Sequence, residues 1–366
     1  MLENTAYRLR NGTGLTVAYF GGSITEGAGS STYDKCWAGK TTAWLRDQWP
    51  DCPVTHIQAA IGGTDSTLGV HRCDRDVCSR RPDLVFYEFS VNDQDLDYET
   101  ALKNTEACFR KIRLANPQAE IVTVYTATKY LADNMAEGRI LHARAAHSTV
   151  SHVYGIPEVD IGGALIHRVL ADGSPEAEAD SWLRYTKDFV HPNDDGYGVY
   201  FEVIRKRLGE WLEGAEKVGE LKTYALPEPI VPNSESHMRA RIVDCFEASF
   251  GSGWNVREES LSGRYPHYIE SSDPGAELSL TFEGRQIGVM WMMAKDSGDA
   301  LCSIDGSEFF NVSSWDIYCR DFTRANAAVI GKDLGEGRHV LRLKVSAGKS
   351  DESEGHFLRI GYFLVL

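Results

Sequence analysis

A strand-like run that stops at two glycines is the feature that most constrains the fold of this 366-residue chain. The run from Leu15 to Phe20 is rich in β-branched and aromatic residues, as in a strand that is buried on both faces. Gly21 and Gly22 then allow a sharp turn, because glycine accepts positive φ and has no side chain. The turn predicts that Ser23 lies at the carboxyl edge of a sheet, where open α/β folds bind ligands. For this stretch alone, an ordinary strand-to-loop turn with a solvated serine is the alternative.

The next two hundred residues alternate between strand and helix patterns. Strands are predicted at 54–60, 84–89, 121–125 and 159–161, and helices at 40–49, 99–114, 137–154 and 194–212. Such alternation is typical of βαβ units with a mainly parallel sheet. We therefore predict an α/β domain over residues 1–218, in which residues 162–187 are irregular.

The composition changes after this domain. The stretch LPEPIVP at 226–232 holds three prolines in seven residues and predicts a stiff linker, which we place at 219–238. From 239 to 366, short alternating runs are separated by glycine and aspartate turns. That pattern predicts a second, all-β domain with the antiparallel sheets of a jelly roll.

Charge and hydropathy exclude several classes of partner. The net charge of −15 argues against nucleic acid and against an anionic membrane surface, since both attract basic proteins. No run approaches the roughly 20 apolar residues that a membrane span requires. The first residues lack the basic and apolar regions of a signal peptide, so a cytoplasmic location is expected. Whether the protein forms a homo-oligomer is left open by the sequence.

The cysteines and histidines do not predict a metal or another cofactor. The eight cysteines include no CxxC pair, and the spacing of Cys73 and Cys78 fits no zinc pattern, so free thiols are expected. His142, His147 and His152 lie five residues apart on one predicted helix and do not share a face.

Four predicted loops carry the residue types that acyl transfer requires. Ser23, Gly63 and Asn92 each follow a predicted strand, whereas Asp188 and His191 lie three residues apart before the last helix. A serine becomes nucleophilic when an imidazole takes its proton, and a carboxylate orients that imidazole. The oxyanion that forms needs fixed N–H donors. Each residue alone also fits a turn, a cap or a surface loop; their joint order favours catalysis.

Around these residues the chain resembles a known family. The segments GGSITEG, IGGTDS, FSVND and DFVHPNDDGY resemble the four blocks of the SGNH hydrolases, a division of the GDSL esterase/lipase family, and the likeness spans residues 17–212. It implies a three-layer αβα, flavodoxin-like domain. It also implies Ser23 as nucleophile, His191 as general base, Asp188 as its orienting acid, and Ser23, Gly63 and Asn92 as oxyanion donors.

The second domain narrows the expected substrate. Its pattern is similar to that of jelly-roll carbohydrate-binding modules appended to sugar esterases, and no apolar segment near the blocks suggests a fatty-acyl groove. We therefore expect a serine esterase that removes O-acetyl groups from manno- or xylo-oligosaccharides. Candidates for stacking on sugar rings are Trp182, Trp291, Trp315 and Tyr318. The alternatives are a short-chain carboxylesterase or lysophospholipase-like hydrolase, and a glycan-binding protein with an inactive hydrolase domain.

Overall fold

The computed structural model describes residues 2–172, 178–215, 219–231, 234–259 and 265–366. The chain divides into two compact units, Met1–Met238 and Arg239–Leu366. Each unit has its own hydrophobic core, as expected for a domain.

A parallel sheet forms the centre of the first unit. Its strands are β1 (Leu15–Gly21), β2 (Val54–Gln58), β3 (Leu84–Glu88), β4 (Glu120–Tyr125) and β5 (Glu158–Asp160). They lie in the order β2-β1-β3-β4-β5, which is the flavodoxin-like order, and every neighbouring pair is parallel. All of β3 is buried, as expected for a strand that is covered on both faces. The predicted α/β fold class is confirmed.

Helices cover both faces of this sheet. They are α1 (Glu3–Asn11), α2 (Ser23–Glu26), α3 (Trp37–Gln48), α4 (Ser66–Asp76), α5 (Tyr98–Ala115), α6 (Lys129–Ala136), α7 (His142–Val153), α8 (Ile161–Asp172), α9 (Glu178–Tyr185) and α10 (Asp194–Glu213). On one face, Tyr19 of β1 packs in a core to which α1, α3, α8, α9 and α10 contribute. On the other face, Tyr87 of β3 meets Phe109 of α5 edge to face, and α5 in turn packs against α4 and α7.

The helices α1 and α4 were not predicted from the sequence, and two further segments differ from the prediction. The helix predicted at 137–154 begins only at His142, as α7, and a separate helix, α6, ends at Ala136 just before the predicted start. Gly138 lies between them with a φ of 74°, a conformation that no helix can continue through. Within 162–187, predicted as irregular, the described residues form α8 and α9. The glycines at the start of α8 weaken the sequence signal, whereas Leu165 buried in the core compensates for them.

The proline-rich stretch runs along the first unit. The backbone N–H of Lys222 donates to Asn4 Oδ1 at 2.7 Å, and that of Tyr224 donates to the Pro117 carbonyl at 2.8 Å. Further on, Ile230 N–H donates to Glu106 Oε1 at 2.8 Å. Residues 219–231, predicted as a spacer, are therefore fixed by hydrogen bonds to the first unit.

Antiparallel strands build the second unit. They are β6 (Arg241–Asp244), β7 (Ser249–Phe250), β8 (Asn255–Arg257), β9 (Tyr268–Ser271), β10 (Glu277–Glu283), β11 (Ile287–Met293), β12 (Asp299–Ile304), β13 (Phe310–Ser313), β14 (Arg324–Gly331), β15 (Arg338–Val345) and β16 (Leu358–Val365). One sheet has the order β13-β12-β15-β10-β7 and the other β14-β11-β16-β9-β8, with β6 also paired to β16. Residues from both sheets share one core, for example Leu341 of β15 and Val289 of β11. The predicted all-β second unit is confirmed.

The cysteines and the helix lengths complete this description. All eight cysteines lie in described parts of the chain, and each is buried and free. In the portions that the structure describes, no helix combines the length and the apolar composition that crossing a membrane would take.

Candidate active site

The Ser23 turn lies at the carboxyl end of β1. Ser23 is the first residue of α2, so its backbone N–H has no acceptor within that short helix. Gly22 precedes it, and a Cβ atom there would lie 2.0 Å from Asn92 Oδ1. Because no side chain fits in that space, glycine at this position lets the loop after β3 approach the serine.

A short closed loop holds His191. Thr186 and Pro192 form an isolated β-bridge, and the N–H of Lys187 donates to the His191 carbonyl at 2.8 Å. Inside the loop, Phe189 has a φ of 67°, which is unusual for a residue with a side chain. The Phe189 carbonyl accepts the N–H of Lys129, the first residue of α6, at 2.9 Å. The loop is thus tied to α6 and closed on itself.

Asp188 orients the imidazole of His191. Its Oδ1 accepts the backbone N–H of His191 at 2.8 Å, and its Oδ2 accepts the ring Nδ1–H at 2.7 Å. Burial would raise the pKa of this carboxyl, but these hydrogen bonds from His191 hold the pKa below its ordinary value. Asp188 is therefore ionised at neutral pH and fixes the tautomer in which Nε2 is free to accept a proton.

The imidazole meets the serine across 168 positions of the sequence. His191 Nε2 lies 2.8 Å from Ser23 Oγ, within hydrogen-bond distance, and the serine hydroxyl donates. This arrangement joins a hydroxyl, a base and a carboxylate in a row. It is chemically suited to remove the serine proton as the oxygen attacks a carbonyl carbon.

Two further loops bring N–H groups to the same turn. The Gly62 N–H donates to Glu26 Oε2 at 2.8 Å, and a Cβ on Gly62 would lie 3.3 Å from that of Ser23. Gly63, the next residue, is exposed and has a φ of 71°. With Asn92 Oδ1 next to Gly22 and Gly62 next to Ser23, the loops that carry Gly63 and Asn92 both lie against the Ser23 turn.

Comparison with known proteins agrees with this geometry. Residues 19–199 match the family model described as "GDSL-like Lipase/Acylhydrolase family". The matched range includes Ser23, Gly63, Asn92, Asp188 and His191. The first unit belongs to the GDSL-like lipase/acylhydrolase family. The predicted family is confirmed, and with it the assignment of the chain as an ester hydrolase.

Solved structures resemble the GDSL-like chain over different lengths. A two-domain esterase (CEX) active on acetylated mannans, co-crystallised with mannopentaose, has a TM-score of 0.81 and 21% identity, covering 100% of this chain and 94% of that one. Another crystal structure of this two-domain esterase gives the same score and identity, and there the match covers 95% of that chain. An acetyl xylan esterase, AlAXEase, has a TM-score of 0.45 and 22% identity, covering 53% of this chain and all of that one. A search of curated proteins gives no match. The first two structures share the fold of both units.

The aromatic candidates need correction. Trp182 is 1% exposed in the core of the GDSL-like unit, where its carbonyl accepts both the N–H and the hydroxyl of Thr186 at the base of the His191 loop. Trp291 is also 1% exposed, in the core of the second unit. Neither ring presents a face to a ligand. Trp315 is half-buried against that core, whereas Tyr318 is 56% exposed.

Sequence reasoning missed two carboxylates of this region, the buried Glu88 and the half-buried Asp65. Glu88, the last residue of β3, accepts the hydroxyls of Thr25 and Thr126 at 2.8 Å each, and burial raises its pKa. Asp65 caps α4, and burial, followed by the charge of Asp93, raises its pKa to about 6. For Asp65, the sequence did offer a signal: it precedes Ser66 directly after the Gly63 turn, and an aspartate before a helix is a common N-cap.

A cavity of about 440 Å³ opens in the GDSL-like unit beside the Asn92 loop. Ser90 and Gln94, on either side of Asn92, line it together with Tyr130 of α6. Residues of α6, of α7 and of the segment between them form much of its wall, including the apolar Leu131, Met135, Ile140 and Leu141 and the polar Asn134, Arg139 and Arg144. The helix α6, which forms part of the cavity wall, is also bonded to the His191 loop, because the Lys129 N–H donates to the Phe189 carbonyl.

Potential metal ligands lie elsewhere. Among the described residues, Asp244, Cys245 and His267 of the second unit form one group whose ligand atoms lie within 4.8 Å of one another. His267 Nε2 donates to Asp244 Oδ2 at 2.8 Å, and burial raises the pKa of the Cys245 thiol to about 12. This group is held by its own hydrogen bonds and by core packing.

Proposed function

We propose that this protein is a serine O-acetyl esterase that acts on acetylated oligosaccharides, with manno- or xylo-oligosaccharides as the substrate class. The observation that carries the proposal is the continuous hydrogen-bonded row from Ser23 through His191 to Asp188, at 2.8 and 2.7 Å. The row lies at the carboxyl edge of the sheet, where Gly63 and Asn92 also lie.

The proposed reaction has two steps. Ser23 Oγ attacks the acetyl carbonyl carbon as His191 Nε2 takes the hydroxyl proton, and the oxyanion is met by the N–H groups of Ser23 and Gly63 and the Asn92 amide. The carbon–oxygen bond to the sugar breaks, and His191 gives its proton to the departing sugar oxygen. Water, deprotonated by His191, then attacks the acetyl-enzyme and releases acetate and the free serine. Asp188 stabilises the imidazolium throughout.

Two observations favour a carbohydrate as the alcohol part of the ester. The fold matches a two-domain esterase active on acetylated mannans along the whole chain. The cavity beside Asn92 offers the side chain of Tyr130, 54% exposed, which is a suitable platform for a sugar ring. Its arginines already have carboxylate partners, Arg139 with Glu137 and Arg144 with Asp160, each at 2.6 Å. A neutral sugar fits such a cavity better than an acidic one.

The cavity also favours a second candidate. Met135 is 45% exposed and Ile140 71% exposed at its wall, so an acyl chain longer than acetyl would find apolar contacts there. The corresponding function is a short-chain carboxylesterase or a lysophospholipase-like hydrolase. The third alternative, an inactive glycan-binding protein, gives no reason for the hydrogen bonds among Ser23, His191 and Asp188.

Acyl length and acetyl release distinguish these functions. We expect p-nitrophenyl acetate to be hydrolysed faster than the butyrate and far faster than the octanoate. We also expect acetate release from acetylated manno- or xylo-oligosaccharides, measured by enzymatic acetate assay. Faster hydrolysis of the octanoate would establish the lipase-like alternative. Absence of hydrolysis on every ester would establish the inactive one.

A further inference from the structure

One buried carboxylate connects the loops that carry Gly63 and Asn92. Asp93 follows Asn92 in a 3-10 turn, Asn92–Asp95, and is completely buried. Its Oδ1 accepts the backbone N–H of Ser66 at 2.7 Å, and its Oδ2 accepts Nε2–H of His147 at 2.8 Å. The carboxylate therefore bridges the loop after β3, the start of α4 and the side of α7.

The position of Ser66 makes this bridge relevant to the site. Ser66 begins α4, three residues after Gly63, and Asp65 fixes that helix end by accepting the N–H groups of Thr67 and Leu68 at 2.9 and 3.2 Å. A shift of Asp93 would therefore move the Gly63 turn relative to Asn92. Both oxygens of this fully buried carboxyl group are hydrogen-bonded, so the bridge resists displacement.

His147 is placed to hold the carboxylate. Its side chain is fully buried and its ring lies edge-on to Tyr87, with the centroids 5.5 Å apart. Its other nitrogen, Nδ1, has no hydrogen-bond partner among the described residues. Within this part of the chain, the bond from Nε2–H to Asp93 is therefore the hydrogen bond that holds the ring. A buried polar atom without a partner costs stability, which the bond to Asp93 offsets in part.

We propose that Asp93 and His147 are positioning residues that set the distance between the Gly63 N–H and the Asn92 amide. The proposal rests on the proposed function, in which both groups bind the oxyanion. Neither residue touches the substrate. Their effect falls on the transition state, because the oxyanion forms only as the serine oxygen attacks.

The test uses the full-length protein with p-nitrophenyl acetate and a boronic acid, which forms a tetrahedral adduct on an active-site serine. The variants are Asp93→Asn, which keeps the shape, His147→Leu, which removes the donor, and His147→Gln, which restores an N–H at similar reach. The matched control is Asp97→Ala, which removes the exposed N-cap of α5 from the same loop. Thermal unfolding is recorded for all four.

We expect Asp93→Asn and His147→Leu to lower kcat roughly 10- to 1,000-fold. The upper value is the effect of losing one oxyanion donor completely. Boronate affinity should fall by a similar factor while KM changes less than about threefold, as for an interaction made only in the transition state. His147→Gln should recover most of both. Asp97→Ala should lower the melting temperature alone.

The two proposals fail in different ways. If folded His147→Leu keeps wild-type kcat and boronate affinity, the positioning role is overturned. The positioning role is also overturned if Asp97→Ala loses as much kcat and boronate affinity, for the same fall in melting temperature, as the Asp93 and His147 variants do. If Asp93→Asn does not fold, the two His147 variants decide. If the wild-type protein hydrolyses no ester, the proposed function itself fails.

Discussion

The two units hold their candidate functional side chains differently. In the first, Ser23 comes from one segment and His191 with Asp188 from a distant one, and the three are joined at 2.8 and 2.7 Å. In the second, Trp291 is in the core, whereas Tyr318 is largely exposed with the Arg324 guanidinium 5.3 Å from its ring centre. Hydrogen bonds between several loops fix a reacting geometry, whereas an exposed aromatic can only offer a contact surface. Chemistry is therefore expected from the first unit, and additional contacts with the sugar chain are expected from the second.

Ser23→Ala should give the largest effect. Removing the nucleophile is expected to lower kcat on p-nitrophenyl acetate by about 10⁴-fold or more, because residues that act as a unit fail together. Circular dichroism should show an unchanged fold. Ser79→Ala is the matched control, since that exposed serine donates only to the Arg75 carbonyl at the end of α4. A Ser23→Ala enzyme with a tenth of the activity would place the chemistry elsewhere.

The pair Asp188 and His191 should behave as one element. We expect Asp188→Ala/His191→Ala to be little worse in kcat than His191→Ala alone, because Asp188 acts through the ring that it orients. Steady-state kinetics on p-nitrophenyl acetate measures both. Losses that multiply would show that the two residues serve independent steps.

Removal of the second unit should separate binding from chemistry. The cut belongs after Met238, because Lys222, Tyr224 and Ile230 are bonded to the first unit. The shortened enzyme should keep most of its activity on p-nitrophenyl acetate. It should lose about tenfold or more in kcat/KM on acetylated oligosaccharides, where binding energy from remote sugars contributes. Circular dichroism checks folding, and equal losses on both substrates would contradict a binding role.

Asp65→Asn should give the smallest effect, on stability. Because the folded-state pKa is raised to about 6, Asp65 contributes stability below its unfolded pKa, and this is lost as the pH rises through about 6. Asparagine caps a helix equally well and carries no charge. At pH 8 the free energy of unfolding of the variant should exceed that of the wild type by about 1–2 kcal/mol, a value reduced for solvent screening at this half-buried site. At pH 4 the two should be equally stable. Urea unfolding measures this; equal stability at both pH values would contradict it.

Local patterns were sufficient to predict the fold class, which is confirmed, and to select five candidate site residues around Ser23. A run such as LTVAYF has to be buried on both faces, and a strand followed by a helix has to cross back over its sheet. Parallel strands end at one edge, so Ser23, Gly63 and Asn92 were expected there before any distance was known. Spacing also placed Asp188 beside His191, because three residues form one turn.

Only the tertiary structure decided which groups from distant parts of the chain are in contact. The bond between Asp93 and His147 joins residues 54 positions apart, and nothing in either local pattern points to the other. In sequence, a tryptophan fits a sugar-stacking surface and a hydrophobic core equally well. Trp182 and Trp291 are buried in the cores, because burying a large ring removes a large apolar surface from water. Pro227 and Pro229 set a stiff backbone, but the hydrogen bonds of this segment to the rest of the first unit depend on partners over a hundred residues away, whereas Pro232 lies outside the described residues.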